Sequence, residues 1–396
     1  MLRYLTAGES HGPALCVIVE GLPAGLAITA EEITDELARR RLGYGRGPRM
    51  RFERDEVTLV SGVRHGRTLG SPVAIEIANT EWPKWQGEMS ASRGTPEKKL
   101  TQPRPGHADL AGMQKYGFDD ARDVLERASA RETAARVAAG TVAKALLAHL
   151  GIEIISHVRQ IGQAHVAITE LPRPSDLARI DASEVRCIDQ DAEQRMISEI
   201  KAAAKVGDSL GGIAEVVAYG VPVGLGSHVQ WDRKIDGLLA QALMSIQAVK
   251  AVEIGDGIAQ AAQRGSVAHD AIYFDPSDHT AGGYVRRSDH AGGLEGGITT
   301  GSPLVVRVAM KPLATLNRPV LETVDVVTKE SVVSFKERTD VTAVPALGVI
   351  AESMVAMVLA SESLRKFGGD SVAEFVRNAR GYLAHLSETP SAAPRD

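Results

Sequence analysis

Two distant stretches of this chain share one glycine and proline pattern, and that repetition limits the fold more than any single motif does. Gly8-Glu9-Ser10-His11-Gly12, followed by Gly21-Leu22-Pro23-Ala24-Gly25-Leu26, aligns at an offset of 199 with Gly207-Asp208-Ser209-Leu210-Gly211 and Gly220-Val221-Pro222-Val223-Gly224-Leu225. At an offset of 231, Gly62, Gly66, Thr68, Gly70, Ser71 and Pro72 match Gly293, Gly297, Thr299, Gly301, Ser302 and Pro303. Both registers run into alternating, strand-like stretches at 73–77 and 304–308. The repeat is too long for a solenoid unit, so we read an internal duplication, with related halves over about 1–150 and 200–370 packed as one body.

Helices are expected at 30–41, 130–150, 233–249 and 348–367. The second opens on Ser129-Ala130-Arg131-Glu132, a capping-box pattern, and should end at Gly151; its alanine-rich body suits a buried helix layer. Runs of strands with a few long helices indicate a layered α+β architecture rather than a doubly wound sheet. A single domain over 1–386 is expected, with an exposed loop at 85–102 that is no obvious site of chemistry and a flexible tail at 387–396.

Composition narrows the class. With 396 residues and 44% hydrophobic content, the chain can bury a full core. Aromatics make up only 4%, which weakens a single-stranded nucleic-acid reading, since such sites stack bases on aromatic rings. A net charge of −5 gives no global basic field for a polyanion. Cys16 and Cys187 have no paired spacing, and no zinc or iron–sulfur ligand set is visible. With no signal peptide and no apolar run of spanning length read from the sequence, a cytoplasmic protein without membrane contact is expected.

Against that acidic background, six arginines fall between Arg39 and Arg51, four of them in or beside the turn Gly43-Tyr44-Gly45-Arg46-Gly47-Pro48. Guanidinium groups bind carboxylate and phosphate bidentately, so a small-anion site is one reading. An exposed helix end whose Arg39, Arg40 and Arg41 offset the helix dipole is the other. The duplication supplies an internal control for histidine: His11 aligns with Leu210, and His65 with Gly296. The shared frame therefore does not require an imidazole at 11, which favours a chemical role there.

Three further segments combine cations with acid–base groups. Arg104-Pro105-Gly106-His107-Ala108-Asp109 lies on a stiff loop that could present Arg104 and His107 to a ligand, or be a surface turn in which Asp109 caps the next segment. Around Ser129, Arg127 and Arg131 flank a helix start, which suits either an anion pocket or a capped, salt-bridged helix end. Asp340 near Arg338 could be a surface ion pair or part of a site. The glycines at 292–297 are not a dinucleotide fingerprint, and no P-loop signature occurs.

Together these motifs resemble chorismate synthases. Gly8-Glu9-Ser10-His11-Gly12, Arg41-Leu42-Gly43-Tyr44-Gly45-Arg46-Gly47, Arg104-Pro105-Gly106-His107-Ala108-Asp109, Arg127-Ala128-Ser129-Ala130-Arg131-Glu132-Thr133 and Arg338-Thr339-Asp340 occur in the family's order, and the likeness runs from about Leu2 to Asn378. The resemblance implies a β-α-β sandwich, a homotetramer, and anti 1,4-elimination of phosphate from 5-enolpyruvylshikimate 3-phosphate to give chorismate, the last step of the shikimate pathway. It also implies dependence on reduced FMN without net redox change. Some relatives reduce their own flavin with NADPH; with no dinucleotide fingerprint, an external source of reduced flavin is mildly favoured here. By resemblance, His11, His107 and Asp340 are the catalytic residues. Arg40, Arg46, Arg49, Arg104, Arg131 and Arg338 would hold substrate carboxylates and phosphate. Arg127, Ala128, Ser129, Gln247, Ala248, Gly296, Lys311, Pro312, Leu313, Ala314, Thr315 and Arg338 would contact flavin. A flavin-free enzyme acting on phosphorylated sugar acids and an anion-sensing or RNA-binding module are the competing readings.

Overall fold

A computed structural model describes residues 2–46, 55–97, 99–167, 170–278, 280–335 and 339–387. Arg49, Arg338 and nearly all of the expected tail lie outside them. Strands β1 (Arg3–Ala7), β2 (Ala14–Glu20), β3 (Glu56–Ser61) and β4 (Val73–Ala78) form an antiparallel sheet of order β1-β2-β4-β3. Strands β5 (Glu153–Ile161), β6 (Ala164–His165), β7 (Gly212–Tyr219), β8 (Val249–Ile254) and β9 (Leu304–Met310) form a second, antiparallel in every pairing, of order β6-β5-β7-β9-β8. The order of the first sheet thus recurs in the second, with β6 added at one edge.

Each sheet presents an alternating apolar face to the same core. Leu15, Val17 and Val19 of β2 and Val73, Ile75 and Ile77 of β4 are buried there. Helix α1 (Ala30–Arg41) starts on a true capping box, in which Thr29 Oγ1 accepts from the Glu32 amide and Glu32 Oε2 from the Thr29 amide. It buries Ile33, Leu37 and Arg40 at helical spacing. Helix α4 (Thr133–Ala148) packs on the first sheet and on α7 (Val344–Phe367); α7 packs in turn on β5, β7 and β9, and α6 (Ile235–Met244) lies against α7 and β8. Gly140 makes the α4–α7 approach possible, because a Cβ there would lie 2.2 Å from Ser353 Cβ.

Two expectations need adjusting. The third helix is shorter than 233–249, since a 3₁₀ turn occupies 231–233 and β8 begins at Val249. The sequence does contain an apolar run of spanning length: within the 24 residues of α7, an 18-residue window has a mean hydropathy of 1.8. That run is 89% buried inside the protein, so its hydrophobicity serves the contact between sheets and helices.

The helix layer is tied together by one carboxylate. Glu352 of α7, fully buried, accepts from Arg39 Nη1 of α1 at 2.8 Å, Lys144 Nζ of α4 at 2.6 Å, Ser156 Oγ of β5 at 2.6 Å and Arg186 Nη2 at 3.3 Å. Glu36 and Asp181 complete the network, so three cations meet three carboxylates. Burial opposes ionisation of Glu352, but Arg39, Lys144 and Arg186 outweigh it and hold its pKa well below the carboxylate range; burial lowers Arg186 to about 10. Replacing Glu352 by Gln leaves buried cations uncompensated. A loss of about 3–5 kcal/mol is expected, read as a lower denaturant midpoint than wild type at pH 7.

Candidate active site

Four polar clusters collect the sequence-expected residues that fall within the described chain, with the exception of Gly296. At the first, the glycine-rich link from β1 to β2 carries His11 against helix α3 (Arg122–Ala128). The Ser10 amide donates to the Glu126 carbonyl at 3.1 Å and the His11 amide to Glu126 Oε2 at 2.9 Å. His11 Nδ1 lies 2.9 and 3.0 Å from the two oxygens of the same carboxylate. Arg122 Nη1 donates to Glu126 Oε1 at 2.9 Å. Burial alone would raise the pKa of Glu126; hydrogen bonds and charge from His11, with Arg122, bring it below the ordinary value. The Trp85 ring lies against the imidazole, tilted by 32° with centroids 4.2 Å apart, so the 85–102 loop is not detached from the candidate chemistry as expected, although most of it from Gln86 to Glu97 is exposed.

The second cluster joins both halves of the chain beside the first. Arg127 reaches back to Thr6 and Gly8, Ser129 Oγ donates to Ser10 Oγ at 3.2 Å, and half-buried Ala128 ends α3. Ser129 caps a 3₁₀ turn (Ala130–Glu132) by accepting from the Arg131 amide. Glu132 does not close a capping box. Its carboxylate accepts from Thr6 Oγ1 at 2.7 Å, Arg136 Nε at 2.8 Å and Gln247 Nε2 at 3.1 Å. Gln247 Oε1 is buried without a hydrogen-bond partner among the described residues, and the Ala248 carbonyl accepts from the Lys311 amide at 2.9 Å.

In the third, Arg40 and Arg131 converge on buried Asp55. Arg40 Nη2 is 3.8 Å from Asp55 Oδ2, and Arg131 Nη1 bonds Asp55 Oδ1. Arg131 Nε also donates to Asn79 Oδ1 at 3.0 Å, while Asn79 Nδ2 donates to the carbonyls of Glu9 and Gly12, which links this cluster to the His11 segment.

The fourth gathers the 104–109 loop, the 311–315 run and the arginine-rich turn. Asp109, fully buried, accepts from the Arg104 amide at 3.1 Å and Arg104 Nε at 2.9 Å, and pairs with His107 Nδ1; it clamps the loop and leaves the helix it begins uncapped. Arg104 Nη1 donates to Thr315 Oγ1 at 3.1 Å, Lys311 Nζ donates to the Gly106 carbonyl, and the Leu313 carbonyl accepts from Ser209 Oγ. Pro312 is exposed and Ala314 half-buried in this run. Asn317 Nδ2 reaches the Thr339 carbonyl at 3.4 Å, and Asp340 Oδ2 lies 3.3 Å from Arg46 Nε. The described ion-pair partner of Asp340 is therefore Arg46. Backbone pairing of the Val341 amide with the Gly45 carbonyl holds that turn beside Asp340.

Gly296 is placed elsewhere, at the tip of the hairpin Leu294–Glu295 and Ile298–Thr299, with open space where a Cβ would point. Gly296 and Gly297 have φ of +58° and +84°; His65 and Gly66, their aligned counterparts, have +50° and +69°, as a tight two-residue hairpin turn requires. His65 is thus a turn residue. A cavity of about 680 Å³ lined by Arg67, His149, Arg377 and Arg380 contains none of the candidate residues. Sequence reasoning did not select Asp55, Asn79, Trp85, Glu126 or Glu132, because their significance lies in partners remote along the chain.

These clusters place guanidinium groups next to two imidazoles, each backed by a buried carboxylate. A sequence model of the family described as chorismate synthase matches residues 2–364. The chain belongs to the chorismate synthase family. It is 59% identical to the chorismate synthase of Thermobifida fusca, with 98% of this chain and 99% of that one covered, and 61% identical to that of Salinispora tropica, with 98% and 99% covered. A crystal structure of chorismate synthase matches the fold with a TM-score of 0.78 at 42% identity over 98% of both chains.

The carboxylate of this chorismate synthase-like loop sets an acid limit. Burial would raise the pKa of Asp109, but His107 and Arg104 hold it well below its ordinary 3.8. A depressed folded pKa contributes stability above the unfolded value and loses it as pH falls below about 4. The stability gap between wild type and Asp109→Asn, measured by denaturant titration, should therefore be full at pH 6–7 and shrink steadily below about pH 4.

Proposed function

We propose that this chain converts 5-enolpyruvylshikimate 3-phosphate to chorismate with reduced FMN as cofactor, as a cytoplasmic, single-domain homotetramer built from two duplicated halves. The observation that carries the reading is the pairing of His11 with Glu126 and of His107 with Asp109, each within an arginine-rich set of residues. A substrate with two carboxylates and a phosphate needs several cations, and Arg40, Arg46, Arg104 and Arg131, with Arg49 and Arg338, are assigned to it. The recurring strand order of the two sheets supports the duplication and the β-α-β layering. Leu5 and Ile18, paired across β1 and β2 and 71% and 45% exposed, leave an apolar outer sheet face of the kind that subunits bury. Neither a membrane nor nucleic acid has a part in this reading.

The residues fit a flavin. Buried Gln247 Oε1 is an acceptor awaiting a donor, as a flavin ring N–H would be, and Arg127, Ala128, Ser129, Ala248 and the 311–315 run stand in the clusters on either side. Gly296 and Arg338 complete the assignment by family likeness. Held by these residues, reduced FMN would supply electron density to the allylic system as phosphate leaves, with no net redox change over the reaction. Arginines bind and orient the substrate; His107, held by Asp109 and beside Arg104, would deliver a proton to the departing phosphate or the flavin. His11 is the acid beside the flavin, and Asp340 accepts the proton released there. Reduced flavin comes from outside the chain in this reading, with NADPH-dependent reduction the alternative.

Anaerobic assay with supplied reduced FMN, with and without NADPH, tests both points. Turnover should need reduced flavin and no NADPH; full activity without flavin would sink the reading. His11→Ala and His107→Ala should each lower kcat by about 10²–10⁴-fold with a much smaller change in KM, whereas Arg49→Ala should raise KM strongly.

A further inference from the structure

The carboxylate that holds His11 does more than pack beside it. Glu126 grips the Ser10-His11 segment at three kinds of atom: its carbonyl takes the Ser10 amide, Oε2 takes the His11 amide, and both carboxylate oxygens lie within 3.0 Å of Nδ1. Its side chain is only 2% exposed, and Arg122 Nη1 lies on its outer oxygen. A carboxylate so placed can only accept, so the proton between them belongs on His11 Nδ1. Nε2, on the other edge of the ring, becomes the atom that exchanges protons. The ring is also kept from turning: Trp85 covers one face at 4.2 Å, and the Arg122 guanidinium lies 4.8 Å from the centroid of that indole. Among the described residues, Glu81, whose Oε2 is 4.0 Å from Nε2, and Glu88, 3.7 Å from Arg122 Nε, also lie near this ring.

We propose that Glu126 is a positioning residue for the phosphate-elimination reaction, fixing His11 as its Nδ1-protonated form so that Nε2 alone serves as the exchanging atom, with Trp85 and Arg122 locking the ring plane. The proposal rests on the reading of His11 as an acid. Glu126 itself is buried behind the imidazole. The interaction spans 115 positions of sequence, so neither motif discloses it by itself.

The test uses the full-length enzyme labelled with ¹⁵N-histidine, the His11 signals assigned by difference against His11→Asn. In wild type at neutral pH, Nδ1 should carry the proton; a His11 ring protonated on Nε2 and bare at Nδ1 overturns the proposal and requires no variant that might misfold. Glu126→Gln, checked for fold by circular dichroism, should show mixed tautomers and a kcat lowered by about 10- to 100-fold with KM within about twofold. A folded Glu126→Gln with wild-type tautomer and kcat overturns it as well. The NMR signal reports on the dyad whether or not His11 is the acid, while turnover of His11→Ala reports on the acid alone. A failure of either can therefore be told apart.

Discussion

The buried Glu352 network fixes the two helices whose ends lead into the candidate clusters. One carboxylate on α7 gathers Arg39 from α1, Lys144 from α4, Ser156 from β5 and Arg186 from the connection between β6 and β7. Single hydrogen bonds contribute little net stability, yet a buried charge stripped of its partners is costly, so the four elements keep their relative placement together or lose it together. Helix α1 leaves this network directly into the arginine-rich turn, and α4 begins with the residues that meet Asp55 and Glu132. The ionic hub thus sets where the ends of two helices can deliver their side chains.

The hub also divides the arginine cluster. Arg39 is consumed by Glu36, Asp181 and Glu352 and acts as framework. Arg40, one residue later and about 100° further around the helix, meets Asp55 together with Arg131. Arg46 lies beside Asp340 because the turn is pinned by the Gly45–Val341 backbone bond. The cluster is therefore divided: Arg39 is paired inside the helix layer rather than standing exposed at a helix end, while Arg40 and Arg46 lie beside Asp55 and Asp340.

Much of the fold was legible because it depends on local periodicity. The bounds of α1, the strands beginning at Val73 and Leu304 and the matching hairpins reflect apolar spacing and turn chemistry. Local signals misled where a tertiary partner outbid them. Glu132 stands where a capping box wants it, but Thr6, Arg136 and Gln247 claim its carboxylate. The 85–102 stretch has the composition of an exposed loop, yet its first residue is an indole that finds the His11 ring. The apolar content of α7 was a signal for burial between layers, which local hydropathy does not separate from spanning a membrane.

The sequence by itself determined the types of chemistry present: imidazoles in glycine-rich and proline-rich segments, guanidinium groups at helix ends, and an ordered motif set placing the chain among chorismate synthases. Only the tertiary structure decided which carboxylate faces which cation, so that Asp55 serves two arginines, Glu126 serves His11 and Glu352 serves the helix layer. The reason is physical. Coulombic and hydrogen-bond energies depend on distance in space and on exclusion of water, and neither is encoded by separation along a chain.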